Sequence, residues 1–299
     1  MRLLVVLAVF NGAAALDATV SSILEQTERD FELIVVDDGS TDATASILRE
    51  YAARDARVRV VTQPNAGLTR ALMRGCAEAR ADVIARHDCG DRSHPARFAR
   101  QLALIGTGAT VTSCATRFVD ADGDLLYISR ADGDEVRRSL VHDDASRIHA
   151  LPHHGSAMFR RDAYERAGGY RAEFRVAQDL DLWIRIAGDG GTFAVDAEVL
   201  YEASVDPHSI SGSAREAQVR STEIAVALRE GRGSLDDLRD VKPAPITPRG
   251  EAGALYFIGK CLLQQNNRKG IAVLREALRK NPWHWRARLS LLAERLHRT

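Results

Sequence analysis

The chain has 299 residues, enough to bury a full core, and its 45% hydrophobic and 27% charged content is ordinary for a globular protein. Its 41 Lys and Arg residues balance 41 Asp and Glu residues, which disfavours nucleic acid or an anionic membrane as a bulk partner. The four cysteines show no CxxC pair and no zinc-like spacing, which is typical of free thiols in a reducing compartment.

The amino terminus admits two interpretations. Arg2, followed by an apolar run to Phe10 and then three alanines, imitates a short signal peptide. Alternatively, Leu3–Val9 is a buried first strand that turns at Asn11 and Gly12 into a helix. We favour the strand, because its removal would take a central member from a parallel sheet. No apolar run reaches the roughly 18–20 residues that a membrane span needs.

Strand and helix patterns alternate through the first hundred residues. Short, apolar runs rich in β-branched residues predict buried strands at Leu3–Val9, Glu32–Val36, Arg57–Thr62 and Asp82–Arg86. Helices are predicted at Ala14–Gln26, Asp42–Ala53 and Leu68–Ala79, and Pro95 opens a further helix toward Ile105. This alternation indicates right-handed βαβ units and a parallel sheet covered by helices on both faces.

Beyond Gly108 the pattern changes to shorter, mixed elements. The predicted strands are Thr110–Val119, Leu125–Ile128, Gly155–Phe159, Phe193–Val195 and Val199–Ala203, and the first two are joined by a hairpin at Asp120–Asp124. The predicted helices lie within Asp132–His142 and at Arg161–Gly168, Asp179–Ala187 and Ala214–Arg229.

The carboxyl-terminal part differs in composition. The Gly- and Pro-rich residues 231–250 are predicted to be a linker between a main domain, 1–230, and a helical extension, 251–299. Three amphipathic helices are predicted in the extension, at Ala252–Gln265, Lys269–Lys280 and His284–Leu296. They resemble one tetratricopeptide-type hairpin plus a helix, or a plain helical cap. One such unit cannot bury its own face, so we expect it to pack on the main domain or on a second subunit.

Acidic residues follow the second predicted strand. Asp37 and Asp38 stand at its carboxyl end, where open α/β sheets bind ligands. Gly39 permits a sharp turn, and Ser40 or Thr41 could cap the next helix. A turn whose acidic groups are simply solvated is the alternative.

Two further acidic stretches follow. Residues 85–91 come after the fourth strand, and carboxylates at such a position commonly hold Mg²⁺ or Mn²⁺ against a diphosphate. Asp179 stands at the start of its helix, beside Gln178. Capping of a helix is the alternative role for both stretches. A helix N-terminus would lower the pKa of Asp179, whereas burial against Trp183 would raise it.

Together these residues resemble the family 2 glycosyltransferases, which are inverting nucleotide-sugar enzymes. The resemblance covers about residues 2–212 and keeps the family's order of motifs. The matching blocks are Ala8–Gly12, Ser22–Thr27, Val35–Asp42, Asn65–Gly67 with Ala71 and Gly75, Ala85–Asp88 with Pro95, Arg97 and Gln101, His154–Ser156, Gly168–Tyr170, Gln178–Trp183 and Ser209–Ser211. The resemblance implies an α/β fold of GT-A type, a Rossmann-like, mostly parallel sheet with helices on both faces, followed here by a small helical extension.

The resemblance also implies roles for residues of this chain. Asp179 would be the general base, taking a proton from an acceptor hydroxyl as that oxygen attacks the anomeric carbon. Asp38 would accept a hydrogen bond from the nucleotide base. The implied site for a UDP- or dTDP-type donor comprises Val9, Phe10, Asn11, Asp38, Asn65, Gly67, Arg86 and Asp88. The implied Mg²⁺ or Mn²⁺ ligands are Asp88 and Asp91, and the residues on the side of a saccharide or lipid-linked acceptor are His154, Gln178 and Trp183.

The chain departs from the family pattern at three positions. The second carboxylate of the D-x-D motif is replaced by Gly90, with Asp91 one residue later. Gln178 stands where a Glu usually precedes the base, and His208 is offset by two from the family's closing histidine. Gly90 keeps open a second hypothesis, a catalytically weak sugar-nucleotide binding protein that scaffolds partners through its helical tail. The remaining acidic residues favour an active, metal-dependent transferase of cell-surface polysaccharide or glycoconjugate synthesis.

Other classes fit less well. A dinucleotide-binding oxidoreductase would need a G-x-G-x-x-G motif after the first strand, and a nucleotidyltransferase would need a basic glycine-rich loop there. We expect a cytoplasmic protein, with peripheral association at the inner face of the membrane as an alternative. The C-terminal helices could contact a second copy or a partner. Loops around residues 132–147 and 205–213 are expected to determine substrate specificity.

Overall fold

A computed structural model of the chain describes residues 2–78, 80–149, 151–207, 215–242 and 247–296. The predicted closing block at 209–211, together with His208, lies outside these residues. The strands are β1 Leu3–Val9, β2 Phe31–Asp37, β3 Val58–Thr62, β4 Val83–Asp88, β5 Arg92–Ser93, β6 Val111–Val119, β7 Leu125–Ser129, β8 Met158–Arg160 and β9 Phe193–Ser204. The helices are α1 Ala13–Leu24, α2 Thr44–Arg54, α3 Leu68–Ala77, α4 Arg97–Gly106, α5 Gly133–Leu140, α6 Arg161–Arg166, α7 Gln178–Gly188, α8 Arg215–Arg229, α9 Pro248–Gln264, α10 Lys269–Lys280 and α11 Trp285–Leu296.

The strands form a single sheet with the order β3-β2-β1-β4-β8-β6-β9-β5, and β7 pairs with β6. β1 to β4 run parallel to one another, as the alternating pattern predicted. β8 runs antiparallel to both β4 and β6, and so joins the parallel half to the β6–β9 pair, which is again parallel. The predicted α/β class is therefore confirmed, with antiparallel strands added after β4.

Both faces of β1 are buried, which explains its sequence. Leu4 and Val6 pack into the core on one face, and Leu3, Val5 and Leu7 pack into the core on the other. All seven residues of the strand are buried. A strand covered on both faces needs apolar side chains at every position, so the run lacks polar alternation.

Two predicted strand boundaries were wrong. Phe193–Val195 and Val199–Ala203 belong to one strand, β9, because its pairing with β6 continues through register shifts near Cys114. The polar residues that interrupted the pattern form a bulge, which bends a strand without ending it. The strand predicted at Gly155–Phe159 begins only at Met158, since His154–Ser156 form a 3₁₀ turn.

The hydroxyl residues after β2 do not cap the helix that was predicted. Helix α2 has no side-chain cap at its N-terminus. Ser40 Oγ instead accepts from Asn11 N at 2.9 Å, and Oγ1 of Thr44, the first residue of α2, accepts from Gly12 N at 2.9 Å. These hydroxyls therefore hold the turn that leads from β1 into α1.

The stretch 231–242 of the segment predicted as a linker packs on the main domain. It contains the 3₁₀ helix Leu235–Leu238, whose N-terminus carries a capping box at Ser234. Leu238 is buried in the main core, and Leu235 and Val241 pack against it. Glycine and proline in this segment thus indicated its turns but not its burial.

The C-terminal helices also pack on the main domain, one of the two arrangements expected. Leu126 of β7 is buried against Ile258 and Leu262 of α9. Lys269 Nζ, at the start of α10, lies 2.5 Å from Asp120 Oδ2 and 3.1 Å from Asp124 Oδ2 of the β6–β7 hairpin. Asp122 is a third carboxylate partner of the same ammonium group. Among the residues that the structure describes, no helix combines the length and apolarity needed to cross a bilayer.

We predict that Lys269→Met lowers the free energy of unfolding by about 1 kcal/mol, because three carboxylates lose their shared cation at a partly exposed site. Burial favours the neutral forms, since it raises the pKa of Asp120 and lowers the pKa of Lys269. Hydrogen bonding outweighs burial at both groups, so the pKa of Asp120 is lowered and the pKa of Lys269 is raised. The stabilisation should therefore be complete between about pH 4 and about pH 10. It should be lost as pH falls through the lowered pKa of Asp120 or rises through the raised pKa of Lys269.

Thermal unfolding of the wild type and Lys269→Met across this pH range measures the effect. Lys260→Met, at an exposed position on α9, removes the same charge and is the control. Equal stability of wild type and Lys269→Met at pH 7 would show that the ion cluster does not hold the helices in place.

Candidate active site

The carboxyl ends of β1, β2 and β4 meet at one edge of the sheet. Val9 is paired with Asp37, and Ala8 with Asp88. The register therefore brings together the loops that carry Asn11, Asp38 and the 88–91 stretch, as the parallel arrangement predicted. Ligands of open α/β sheets bind outside such an edge.

The loop after β1 offers backbone and one exposed ring. The Val9 side chain is buried in the core, and its carbonyl accepts from Asp38 N at 2.9 Å. Phe10 is 51% exposed at the edge. Asn11 has a positive φ of 51°, which is uncommon for a residue other than glycine, and its Oδ1 accepts from Thr41 N at 2.8 Å. Of these three residues predicted to bind the sugar donor, Phe10 therefore exposes an apolar ring that could stack on a base, whereas the Asn11 side-chain carbonyl oxygen is already engaged.

Asp38 holds the loop after β3. Its Oδ1 accepts from Gln63 Nε2 at 2.7 Å and from Ala66 N at 2.9 Å, and its Oδ2 accepts from Gly67 N at 2.8 Å. An ionised carboxylate has about four acceptor positions, and these bonds occupy three. Asp38 therefore has a structural function in addition to any contact with a base, and it positions the predicted donor residues Asn65 and Gly67.

Arg86 is fully buried and does not lie open to a ligand. Its guanidinium pairs with Asp88 Oδ1 and donates to the carbonyl oxygens of Val6 at 3.3 Å and His87 at 2.7 Å. Its Nε donates to His154 Nε2 at 3.2 Å. Arg86 therefore contacts Asp88 and His154 from beneath the site and offers no exposed surface to a ligand, while its place near ribose and diphosphate stays a prediction.

The groups around Asp88 set its charge. Burial alone would raise the pKa of Asp88, but the Arg86 guanidinium, with His154 and His153, holds it well below its usual range. Burial, together with Arg86, lowers the pKa of His154 well below its usual value, and burial lowers that of His153 to about 4. At neutral pH the site therefore contains an ionised carboxylate beside two neutral imidazoles.

Asp179 faces the same space as Asp88. A cavity of about 450 Å³ is lined by both carboxylates, by His153 and His154, and by Gln178. Helix α7 begins after Ala177, whose φ of 56° is rare for alanine; strained backbone of this kind clusters at functional sites. Burial raises the pKa of Asp179, the nearby Asp88 acts in the same direction, and backbone N–H groups oppose them. Burial therefore raises the pKa of Asp179 by more than the helix N-terminus lowers it, which the sequence alone could not decide.

Trp183, predicted on the acceptor side, does not line the cavity surface. Its side chain is fully buried in the core, with its ring 5.5 Å from Phe159 and 6.4 Å from His154. It lies one turn along α7 from Asp179 and therefore supports the wall from behind. Its Nε1 has no hydrogen-bond partner among the described residues.

Asp88 fits a divalent metal, whereas Asp91 does not. The Asp88 side chain is 34% exposed and borders the cavity. Asp91 is buried, its Oδ1 accepts from Ser204 N at 3.0 Å, and burial together with Asp88 raises the pKa of Asp91 to about 8. Within the described ranges no group of three or more His, Cys, Asp or Glu side chains could hold a metal alone. One carboxylate together with substrate phosphate oxygens is nevertheless a common environment for Mg²⁺.

A second cavity of about 600 Å³ adjoins the first. It is lined by the loop from Asn65 to Gly67 and by Arg70 of α3, and it shares Leu68 and Arg175 with the cavity that Asp88 borders. The two cavities therefore lie side by side along this edge. Arg70 and Arg175 were missed from the sequence, since neither follows a strand directly. His153 and Phe118, which also line the first cavity, lacked any signal beyond their neighbours in the chain.

Comparison with known proteins identifies the family. The model for Glycosyl transferase family 2 matches residues 4–168. The chain is 30% identical over 209 residues to the putative glycosyltransferase EpsE of Bacillus subtilis (strain 168), covering 68% of this chain and 72% of that protein. It is 28% identical over 200 residues to the O-antigen biosynthesis glycosyltransferase WbnJ of Escherichia coli, covering 62% of this chain and 71% of that protein.

Solved structures show the same fold. The crystal structure of S. aureus TarS 1-349 in complex with UDP matches with a TM-score of 0.59 at 14% identity, over 94% of this chain and 81% of that chain. The mannosyltransferase PcManGT from Pyrobaculum calidifontis, in complex with GDP-Man and Mn²⁺, matches with a TM-score of 0.58 at 19% identity, over 97% and 83% of the two chains. The predicted GT-A fold is confirmed. The chain belongs to glycosyl transferase family 2 and is an enzyme that transfers a sugar from a nucleotide sugar to an acceptor.

Proposed function

We propose that this enzyme moves the sugar of a UDP- or dTDP-type donor, with inversion, to a hydroxyl of a saccharide or lipid-linked acceptor in cell-surface polysaccharide or glycoconjugate synthesis. The observation that carries the proposal is the single cavity bordered by both Asp88 and Asp179. The relatives support it, since WbnJ is named for O-antigen biosynthesis and the TarS structure contains UDP.

Asp179 is the general base in this proposal. It lies at the first turn of α7, where it faces the cavity, and its raised pKa makes it a stronger proton acceptor than an ordinary aspartate. It takes the proton from the acceptor hydroxyl as the oxygen attacks the anomeric carbon. His153 Nδ1 is buried without a partner among the described residues, and an acceptor hydroxyl could satisfy it.

The leaving diphosphate is placed between Asp88 and the arginines of the adjoining cavity. Arg70 and Arg175 supply positive charge there. A divalent ion, when bound, would be held by Asp88 and would offset the negative charge that builds on the departing phosphate. Mn²⁺ is present in the PcManGT structure, which supports this assignment. Arg86 keeps Asp88 ionised and oriented throughout.

The enzyme is proposed to work in the cytoplasm, at the inner face of the membrane. Its four cysteines are unpaired, as predicted, and free thiols are typical of a reducing compartment. A lipid-linked acceptor would be presented at that face.

Asp179→Asn should lower sugar transfer by about 10²–10⁴-fold, the usual effect of losing a general base, while donor binding persists. Turnover is measured by release of nucleoside diphosphate in the presence of acceptor, and donor affinity by titration calorimetry. Asp189→Asn, at the other end of the same helix, is the matched control. Near-normal turnover of Asp179→Asn would exclude this residue as the base.

Asp88→Asn should reduce the gain in UDP affinity produced by Mn²⁺ by at least about tenfold, since loss of a ligand should cost no less than loss of an outer-shell partner. Asp91→Asn should leave that gain unchanged, because Asp91 is bonded to Ser204 N. The affinity of each variant is measured with Mn²⁺ and with EDTA. Asp88→Glu, which keeps a negative charge near Arg86, separates metal loss from local unfolding. Equal losses of Mn²⁺-dependent affinity in Asp88→Asn and Asp91→Asn would instead support a metal site made of both carboxylates.

Gly90→Asp should destabilise the protein by about 1–3 kcal/mol and not simply restore the D-x-D motif. The reason is that Gly90 has φ +100°, where other residues are strained, although no described atom lies within 4 Å of an added Cβ. Thermal unfolding with and without Mn²⁺ checks this. A variant as stable as the wild type, with tighter Mn²⁺ binding, would contradict it.

A further inference from the structure

The outer face of helix α11 is more apolar than its inner face. Trp285 is 62% exposed, Leu289 55% and Leu292 51%. They stand at i, i+4 and i+7, so they form one stripe along the helix. Trp283, just before the helix, is 84% exposed. The inner face is held to the rest of the extension by the fully buried Ala287. A solvated outer face would carry polar residues here.

Arginines flank this stripe. Arg286 and Arg288 fall on opposite sides of it by helical spacing, and both are exposed. The Arg286 guanidinium lies 5.3 Å from the ring centre of Trp285, and that of Arg288 lies 5.8 Å from the ring centre of Trp283. Tryptophan beside arginine on an exposed helix is the composition of helices that lie in a membrane interface.

The charge of the last helix is positive although the whole chain is neutral. Residues 281–296 contain three Arg residues and one Glu residue, whereas the whole chain has 41 of each sign. Earlier in the extension, Lys269 is paired with the carboxylates of the β6–β7 hairpin and Lys280 with Glu251. Glu276 is paired with Arg279. The basic excess is therefore concentrated in the last helix, where it can act on a surface within the screening length of about 8–10 Å.

We propose that Trp283, Trp285, Leu289 and Leu292, with Arg286 and Arg288, form a docking surface for an anionic phospholipid membrane. A second copy of the chain fits less well. In a twofold interface the same patch would face itself, and its arginines would meet arginines with few acidic partners nearby. A negatively charged lipid surface complements the arginines and accepts the tryptophan rings.

The extension that carries the docking surface packs behind one wall of the active-site cavity. Phe257 of α9 lies 5.8 Å from Tyr127 between ring centres, and Tyr127 stacks on Phe118 at 4.4 Å. Phe118 lines the cavity. Membrane docking would hold the enzyme at the surface where a lipid-linked acceptor lies, an advantage that rests on the proposed use of such an acceptor.

Co-sedimentation of the full chain with phospholipid vesicles tests the proposal. We expect at least tenfold tighter binding to phosphatidylcholine vesicles that contain 30% phosphatidylglycerol than to phosphatidylcholine alone, with weakening at high salt. Arg286→Glu combined with Arg288→Glu should weaken binding roughly thirtyfold or more, because each basic residue near an anionic surface contributes about a fivefold factor. Trp283→Ser combined with Trp285→Ser should also remove most binding.

Two matched controls accompany these variants. Arg137→Glu combined with Arg138→Glu makes the same charge change on the exposed surface of α5, and Val219→Ser removes an exposed apolar side chain of α8. Both should bind vesicles as the wild type does. Wild-type indifference to phosphatidylglycerol, or normal binding by the arginine variant, would overturn the proposal. So would a lipid-free dimer in light scattering that the tryptophan variant abolishes.

UDP binding and transferase activity, measured beside vesicle binding, separate this proposal from the proposed function. The substituted residues of α11 do not line the cavity, so UDP affinity in the presence of Mn²⁺ should stay at the wild-type level in the soluble variants. If the wild type binds UDP but not vesicles, only the docking proposal is contradicted. Vesicle binding without any transferase activity counts against the proposed function alone.

Discussion

The buried guanidinium of Arg86 is the interaction on which the candidate active site depends. It lies on β4 with no exposed surface, and its partners are Asp88, His154 and the carbonyl oxygens of Val6 and His87. A buried cation that lost these partners would be costly, so they must be kept in place together. Strands β1 and β4 and the 3₁₀ turn at His154 are thereby fixed relative to one another beneath the cavity.

A second buried guanidinium extends this arrangement. Arg97 donates to the carbonyl of Arg86 at 2.7 Å, to Ser93 Oγ at 2.7 Å and to Gln101 Oε1 at 2.9 Å, all neutral acceptors. Two buried cations therefore lie next to each other beneath this edge of the sheet. Burial lowers the pKa of His153, and the field of these cations lowers it further by disfavouring protonated histidine there. Under the proposed function, the same field would help the site attract the donor diphosphate despite its own carboxylates.

The sequence predicted the sheet better than the contacts of individual polar side chains. β1 to β4 could be identified because a strand buried on both faces is apolar throughout, and the positions of Asp38 and Asp88 at strand ends followed. Ser40 and Asp91 form hydrogen bonds with residues 29 and 113 positions away, and no local sequence pattern predicts such partners. Trp183 matched a family motif, but the motif could not show that its ring is buried.

The packing of the C-terminal region also depends on contacts between residues that are far apart in the sequence. Glycine and proline in residues 231–250 predicted a linker, yet Leu238 is buried in the main core and Lys269 is held by the β6–β7 hairpin. Aromatic contacts then run from Phe257 to Tyr127 and Phe118, and Phe118 lies 5.3 Å from His153 at the cavity. The loops of the parallel strands thus build one side of the site, and the hairpin supported by the extension builds the other. Under the proposed function the donor binds on the first side, so changes in the extension are expected to alter access for the acceptor without moving Asp88.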